Sequence, residues 1–229
     1  MISVVIPTLD AAPGLATTLT ALVPGVVNGA IREVIVVDGG SSDRTVEIAE
    51  AAGADVVRAE PGRGAQLKAG AEQARSEWLL FLHADTTLEV GWEEEVRAFM
   101  DRVDSGERPE TAAAFRFVLD DLGFLPRLIE YGVAWRCTLL RMPYGDQGLL
   151  VPRRLYNRIG GFKAMPLMED VDIIRRLGRK RLVILRSGAL TSAIRYKRDG
   201  YLRRVARNWT CIVLYYCRVP LRHIMRLYL

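Results

Sequence analysis

Four short apolar runs, at residues 2–6, 33–37, 54–58 and 79–82, alternate with helix-like segments at 14–23, 43–52, 64–75 and 92–102. Parallel strands need a crossover, and a helix is the usual one. The alternation therefore predicts an α/β fold with a right-handed, doubly wound, mostly parallel sheet. Strands covered on both faces read as unbroken apolar runs, as Leu79-Leu80-Phe81-Leu82 does. In such sheets ligands bind beyond the C-terminal ends of the strands. The residues just past each run are the first candidates for function.

His83-Ala84-Asp85 ends the fourth run. An imidazole and a carboxylate two residues apart could hold a divalent metal or sit beside a phosphate. A strand-end turn with an Asp cap explains the pattern equally well. Asp38 ends the second run and is followed by Gly39-Gly40-Ser41-Ser42, small residues that let backbone approach a ligand closely. Its carboxylate could accept hydrogen bonds from a base or a ribose hydroxyl. Asp43 reads as a helix N-cap, which requires no further role. Pro7 and Thr8 end the first run on the same sheet edge, so one crevice can collect all of these groups.

The second half is less regular. Strands are expected at 112–119, 148–151 and 182–185, and helices at 153–159, 169–177 and 201–217, with Pro220 interrupting the last. Glu169, Asp170 and Asp172 fall in one helical turn, where favourable interaction with the helix dipole would account for them. Gly145-Asp146-Gln147-Gly148 is a polar insertion between apolar segments and reads as a turn.

Charge is strongly divided. The net charge is +5, yet residues 1–174 carry 17 basic and 26 acidic side chains, whereas residues 175–229 carry 15 basic side chains and the single acid Asp199. Such a tail should seek anionic partners. Its apolar positions at 202, 205, 206, 209, 212, 213 and 216 have amphipathic spacing. They suit a helix at an anionic membrane surface, or one packed on the domain or on a second copy in a homodimer. No recognition motif accompanies the charge, so nucleic acid is not expected as a partner. The longest uncharged run in the tail, 208–217, is far short of the roughly 20 residues that span a bilayer.

Other classes are excluded by what is missing. Gly62-Arg63-Gly64 fails the dinucleotide fingerprint because Leu67 stands where the third Gly belongs, and no Walker A sequence occurs. Cys137, Cys211 and Cys217 lack metal-ligand spacing and suit small buried hydrophobes. Met1 is followed at once by strand-like sequence rather than a basic leader, so a cytoplasmic location is expected, at most peripheral on the inner face of the membrane.

Five ordered stretches resemble a known family: SVVIPTLD (3–10), VIVVDGGSSDRT (34–45), GRGAQLKAGAEQARSEWLLFLHADT (62–86), GDQGLLVPRRLYNRIGGF (145–162) and MEDVD (168–172). Together they resemble the family 2 glycosyltransferases of the GT-A fold over nearly the whole chain. The FLHADT form is most similar to small bacterial transferases whose genes accompany radical-SAM or arsenosugar pathways. The resemblance implies one GT-A domain: a nucleotide-sugar-binding half at 1–105, an acceptor half at 106–198 and the basic helical tail at 199–229. It implies that Pro7, Thr8 and Asp38 hold the nucleoside of a nucleotide-sugar donor, most often a UDP-sugar, with Arg63 and Gln66 lining the donor pocket. Asp85 would be the last residue of the family's DxD motif and bind Mg or Mn, and Asp170 would be the general base. Asp146, Gln147 and Glu169 would lie toward the acceptor or diphosphate, aided by Arg195, Lys197 and Arg198. The acceptor, a small molecule or a lipid-linked one, is not implied. One departure stands out: His83 occupies the first DxD position, where the family commonly has Asp, which removes a hard oxygen ligand.

Two rival readings follow from the residues alone. A nucleotidyltransferase on a similar scaffold would also use carboxylate-bound Mg, but it should carry a basic glycine-rich loop directly after the first strand, where PTLDAAPG stands instead. A non-catalytic protein bound to membrane through the tail is the other.

Overall fold

The computed structural model describes residues 1–228. In its first half β1 (Ile2–Thr8), α1 (Ala12–Val27), β2 (Ile31–Asp38), α2 (Thr45–Ala51), β3 (Asp55–Arg58), α3 (Arg63–Gln73) and β4 (Trp78–Phe81) alternate as expected. After them come β5 (Thr86–Leu88), α4 (Trp92–Asp104), β6 (Ala112–Asp120), α5 (Phe124–Leu140), β7 (Leu149–Pro152) and α6 (Arg153–Arg158). The chain closes with α7 (Glu169–Leu177), β8 (Leu182–Ser192), α8 (Ile194–Asp199), α9 (Tyr201–Tyr216) and α10 (Leu221–Tyr228). The strands form one sheet in the order β3-β2-β1-β4-β7-β6-β8-β5. β3, β2, β1 and β4 are mutually parallel, β7 runs antiparallel to β4 and β6, and β5 is antiparallel to β8.

Every residue of β1 and β4 is buried, which explains their unbroken apolar character. The period of two divides them between two cores. Val4, Ile6, Leu80 and Leu82 pack with Leu15, Leu19 and Leu22 of α1 and with Trp92, Val96 and Phe99 of α4. Val5, Leu79 and Phe81 pack on the other face with Leu67 and Ala71 of α3, Leu155 and Tyr156 of α6, and Ile173 and Leu177 of α7. The result is a sheet between two helical layers. Gly70 lets α3 settle onto this sheet, since a β-carbon there would lie 2.4 Å from Val5 Cγ1. Gly64, nearly two turns earlier, meets the loop ahead of α7 so closely that a β-carbon would be 2.2 Å from the Lys163 carbonyl oxygen.

The structure departs from the sequence expectations in several places, and β5 and α8 were not anticipated. The strand expected at 182–185 continues to Ser192, pairing with β6 through a register shift at Ala114/Arg116 and with β5. α5 was not anticipated, because much of its apolar surface faces outward and blurs the usual core periodicity. The helix expected at 201–217 is α9, and beyond it the tail adds α10, with the chain turning at Arg218 (φ 61°) and Pro220 standing just before α10, where its fixed φ suits a helix start.

Of the alternatives for the tail, packing on the domain is what the fold displays. Cys211 of α9 and Ile224 of α10 are wholly buried against Leu167, Met168 and Val171, the residues around the start of α7. Asp199 gathers Arg198, Arg204 and Arg207, so the one acid of the tail anchors α9 to α8. Among the described residues no helix is long and apolar enough to cross a membrane.

Candidate active site

The crevice lies where β1, β2 and β4 end. Thr8 terminates β1 opposite Asp38 of β2 in parallel register. The Asp38 carboxylate is buried and occupied by its own loop: its oxygens accept hydrogen bonds from the Gly40 and Ser41 amides at 3.0 Å each and from the Ser41 hydroxyl at 2.5 Å. Asp38 therefore shapes the Gly39–Ser41 turn. Gln66 reaches from α3 to donate its amide to the Thr8 carbonyl at 2.7 Å and the Val37 carbonyl at 2.8 Å, fastening the two strand ends. Pro7 is buried in the same strand. Asp43 accepts from the Thr45 amide and, across the crevice, from the Ala12 amide. It thus ties the starts of α1 and α2 together, an anchoring role close to the N-cap expected from sequence.

Beyond β4 the chain turns through His83-Ala84-Asp85 into β5. The turn is fixed by the Thr18 hydroxyl, which donates to the Ala84 carbonyl at 2.9 Å. Gly14 of α1 packs against the Asp85 backbone, where a β-carbon would sit 3.2 Å from Asp85 Cα. Asp85 is half-buried, and its carboxylate has no hydrogen-bond or ion-pair partner among the described residues. Burial and the nearby Arg63 guanidinium push the His83 imidazole down to about 4, against the pull of Asp85 and Asp170, so His83 is neutral at pH 7.

The other wall comes from the second half. Residues 145–147 form a single 3₁₀ turn, and the Gly145 amide donates to Asp170 Oδ2 at 2.9 Å. A β-carbon on Gly145 would lie 2.6 Å from His83 Nε2 and 3.3 Å from Asp170 Oδ2, so imidazole and carboxylate meet over this glycine. Asp170 is the second residue of α7, whose path is set by Met168 in the left-handed region at φ 64°. Burial raises the Asp146 carboxyl to about 6, with Arg136 opposing and Asp170 and Asp85 adding to the rise. Gln147 is buried and structural, donating to the Phe115 carbonyl at 2.8 Å.

Glu169 is sealed beside this site. It is 1% exposed, and neither carboxylate oxygen has a hydrogen-bond partner. Arg63 Nη1 stands 3.7 Å from it. Glu169 lines a small cavity of about 30 Å³ together with His83, Tyr144 and Asp170. Burial, then the neighbouring Asp170, pushes Glu169 up to about 7 despite Arg63. For Arg63 itself burial acts downward, but Glu169, Tyr228 and Asp170 outweigh it and the guanidinium is held firmly charged.

The sign of the Glu169 effect gives a test. The folded protein holds this proton more tightly than the unfolded chain, whose carboxyl titrates near 4.5, so stability falls as pH rises from there through about 7. Glu169→Gln should remove that slope and stabilise the protein at pH 8 by up to about 3 kcal/mol. Denaturant melts of both proteins across this range check it, and superimposable profiles would refute the assignment.

The three cations of α8 differ in their partners. Arg195 is exposed, forms no ion pair among the described residues and is close enough to lower the His83 pKa. Lys197 is engaged with Asp121 at 3.0 Å and Arg198 with Asp199 at 2.8 Å. Sequence reasoning passed over three residues at this site. Arg136 stacks 4.2 Å above the Tyr144 ring, and Tyr228 lies near Arg63. None sits in a motif; only the fold brings α5 and α10 to the crevice.

The sequence model of glycosyl transferase family 2 matches residues 3–123, more than half of the chain. The chain belongs to this family. It is a glycosyltransferase, and solved structures show that its fold is GT-A. One is glucosyl-3-phosphoglycerate synthase from Mycobacterium tuberculosis in complex with Mn2+, UDP and glucosyl-3-phosphoglycerate. It is 22% identical, with a TM-score of 0.62 over 96% of this chain and 81% of that one. The same enzyme with Mn2+ and UDP-glucose matches at 21% identity and a TM-score of 0.63, over 96% and 80% of the two chains. TarS of S. aureus matches at 18% identity and a TM-score of 0.59, over 90% of this chain and 39% of that one. No curated protein sequence matches significantly.

Proposed function

We propose that this glycosyltransferase moves a sugar from a UDP-sugar to an acceptor hydroxyl with inversion at the anomeric carbon. The observation that carries the reading is the convergence of His83, Asp85, Asp146 and Asp170 on the strand-end crevice, with Asp85 unpartnered and Asp170 oriented by the Gly145 amide. The UDP-bound synthase of the same fold supports the choice of donor.

Residues 1–105 are proposed to take the donor. The turn that Asp38 shapes, with Pro7 and Thr8 beneath it, would receive the nucleoside, and the Gln66 fastening would keep the strand ends at the right separation. Arg63 would add positive charge toward the diphosphate. Asp85 offers a hard, unpartnered oxygen that fits Mg or Mn, and neutral His83 offers a nitrogen beside it. No group of three or more metal-binding side chains occurs among the described residues, so diphosphate oxygens and water would complete the shell. A bound divalent ion would neutralise charge on the leaving diphosphate.

Residues 106–198 are proposed to take the acceptor. Asp170 would accept the acceptor's proton as its oxygen attacks the anomeric carbon from the face opposite the diphosphate. Glu169 is too enclosed to reach an acceptor; it would set the Arg63 position instead. Arg195, near enough to lower the His83 pKa, would add charge stabilisation. Residues 199–229 would hold the start of α7 in place. The FLHADT form supports placement among the small bacterial transferases associated with radical-SAM or arsenosugar genes, acting in the cytoplasm.

The nucleotidyltransferase reading is disfavoured by the loop after β1, where Asp10 (φ 48°) accepts from the Ser42 amide and no basic side chain is present. Incubation with UDP-sugars and Mn should release UDP. Release of pyrophosphate from nucleoside triphosphate and sugar phosphate would overturn the proposal.

A further inference from the structure

The outer face of α5 carries an exposed apolar stripe that the proposed transfer reaction does not use. Phe124, Leu128, Tyr131, Trp135 and Leu139 are all exposed, with Phe124 at 79%, Tyr131 at 75% and Trp135 at 66%. At 100° per residue they fall within an arc of about 80° on a helix about 25 Å long. Leu122, just before the helix, is also exposed. The opposite face of α5 is the packed one, with Ile129 and Val133 against Phe117 and Leu119. A second stripe runs along α9, where exposed Leu202, Trp209, Val213 and Tyr216 lie within an arc of about 60°. An exposed apolar band of this extent marks an interaction surface.

The two helices border one rim. Tyr196 and Tyr201, at the α8–α9 junction, join the cluster beneath α5. Tyr144 lies under Arg136 of α5 and close to Tyr216 of α9. Acid is sparse on these helices, although exposed Asp120 and half-buried Asp121, the latter paired with Lys197, precede α5. Glu130, the only acid of α5, accepts the Leu119 amide and pairs with Arg127, and neither α9 nor α10 contains an acidic residue. Arg203, Arg218, Arg222 and Arg226 are exposed and form no ion pair among the described residues.

We propose that α5, together with α9 and the flanking arginines, docks the protein on an anionic lipid bilayer, lying in the interface rather than crossing it. Aromatic and leucine side chains on one face with arginines beside them are the composition that an interfacial helix needs. Tyr and Trp favour the headgroup level, and unpaired arginines are attracted by anionic lipids. A second copy of this chain fits less well, because pairing like surfaces would bring the same arginines together. The docking adds to the catalytic reading and does not depend on it. Docking would set the rim formed by Tyr144 and the 145–147 turn at the bilayer surface, since α5 leads into that turn within a few residues.

Co-sedimentation with vesicles tests this, using the full chain, phosphatidylcholine alone, and phosphatidylcholine mixed equally with phosphatidylglycerol. The wild type should bind the anionic vesicles at least about tenfold more tightly than the neutral ones, and high salt should weaken that binding. Phe124→Ser/Tyr131→Ser/Trp135→Ser should lower anionic-vesicle binding by about tenfold or more while the circular dichroism spectrum stays unchanged. These side chains are exposed, so the fold does not depend on them. Equal binding by wild type and variant would overturn the proposal. So would a wild-type dimer in sedimentation velocity without lipid that the variant converts to monomer, since the face would then pair copies. Donor-induced thermal shifts should be the same in both proteins, which keeps this test separate from that of the transfer reaction.

Discussion

Asp170→Asn should leave the protein folded and lower sugar transfer by about 10²–10⁴-fold. The reason is geometric. Asp170 begins α7 with Oδ2 held by the Gly145 amide and Oδ1 by the Val171 amide, so an isosteric amide can keep the oxygen contact but cannot accept a proton. The loss should fall on kcat, because the acceptor's proton leaves only as the new bond forms. Initial rates alongside a thermal melt separate this from misfolding. Near-normal transfer by a folded variant would remove Asp170 from the role. Asp146, which burial raises to about 6, would then be the next candidate.

Asp85→Asn is expected to have the second large effect, a loss of about a hundredfold or more, together with loss of the response to added Mn. Among the described residues the half-buried Asp85 carboxylate has no protein partner, whereas Asp38 is occupied by the Gly40 and Ser41 amides and Asp170 by the Gly145 amide; Asp146 and Glu169 also lack hydrogen-bond partners, but burial raises both and favours their neutral forms. Chelation of the wild type should mimic the substitution. Transfer rates across a Mn titration, for both proteins, provide the measurement. Unchanged transfer by the chelated wild type would assign the leaving-group charge to Arg63 and Arg195 instead.

The parallel half of the fold was legible because buried strands and amphipathic crossovers leave simple periodicities. Residues 2–6 read as a β-branched strand and 79–82 as a covered one, and both runs are buried, in β1 and in β4 with Leu82 just after it. The outer strands were harder. β8 runs through Arg186-Ser187-Gly188, which has no apolar alternation; what keeps it extended is pairing with β6 and the Glu89 carboxylate, which accepts the Gly188 amide at 2.7 Å. α5 escaped notice because its stripe faces outward, the reverse of a core helix.

The site was legible in part. The motif residues Asp85, Asp146 and Asp170 do converge. Asp38 and Gln66 proved to organise backbone, a distinction that depends on hydrogen bonds between residues distant in sequence. Arg136, Tyr144 and Tyr228 reach the crevice through tertiary packing alone and carried no signal in the chain.

The central claim, a UDP-sugar bound at the strand-end crevice with Asp85 at its diphosphate, is tested most directly by thermal unfolding with UDP-glucose and Mn. At about a hundred times the dissociation constant, donor binding should raise the midpoint by roughly 5–10 °C. Asp85→Asn should lose most of that shift while melting at a similar temperature without ligand. No shift with any UDP-sugar, or an equal shift in Asp85→Asn, would contradict it.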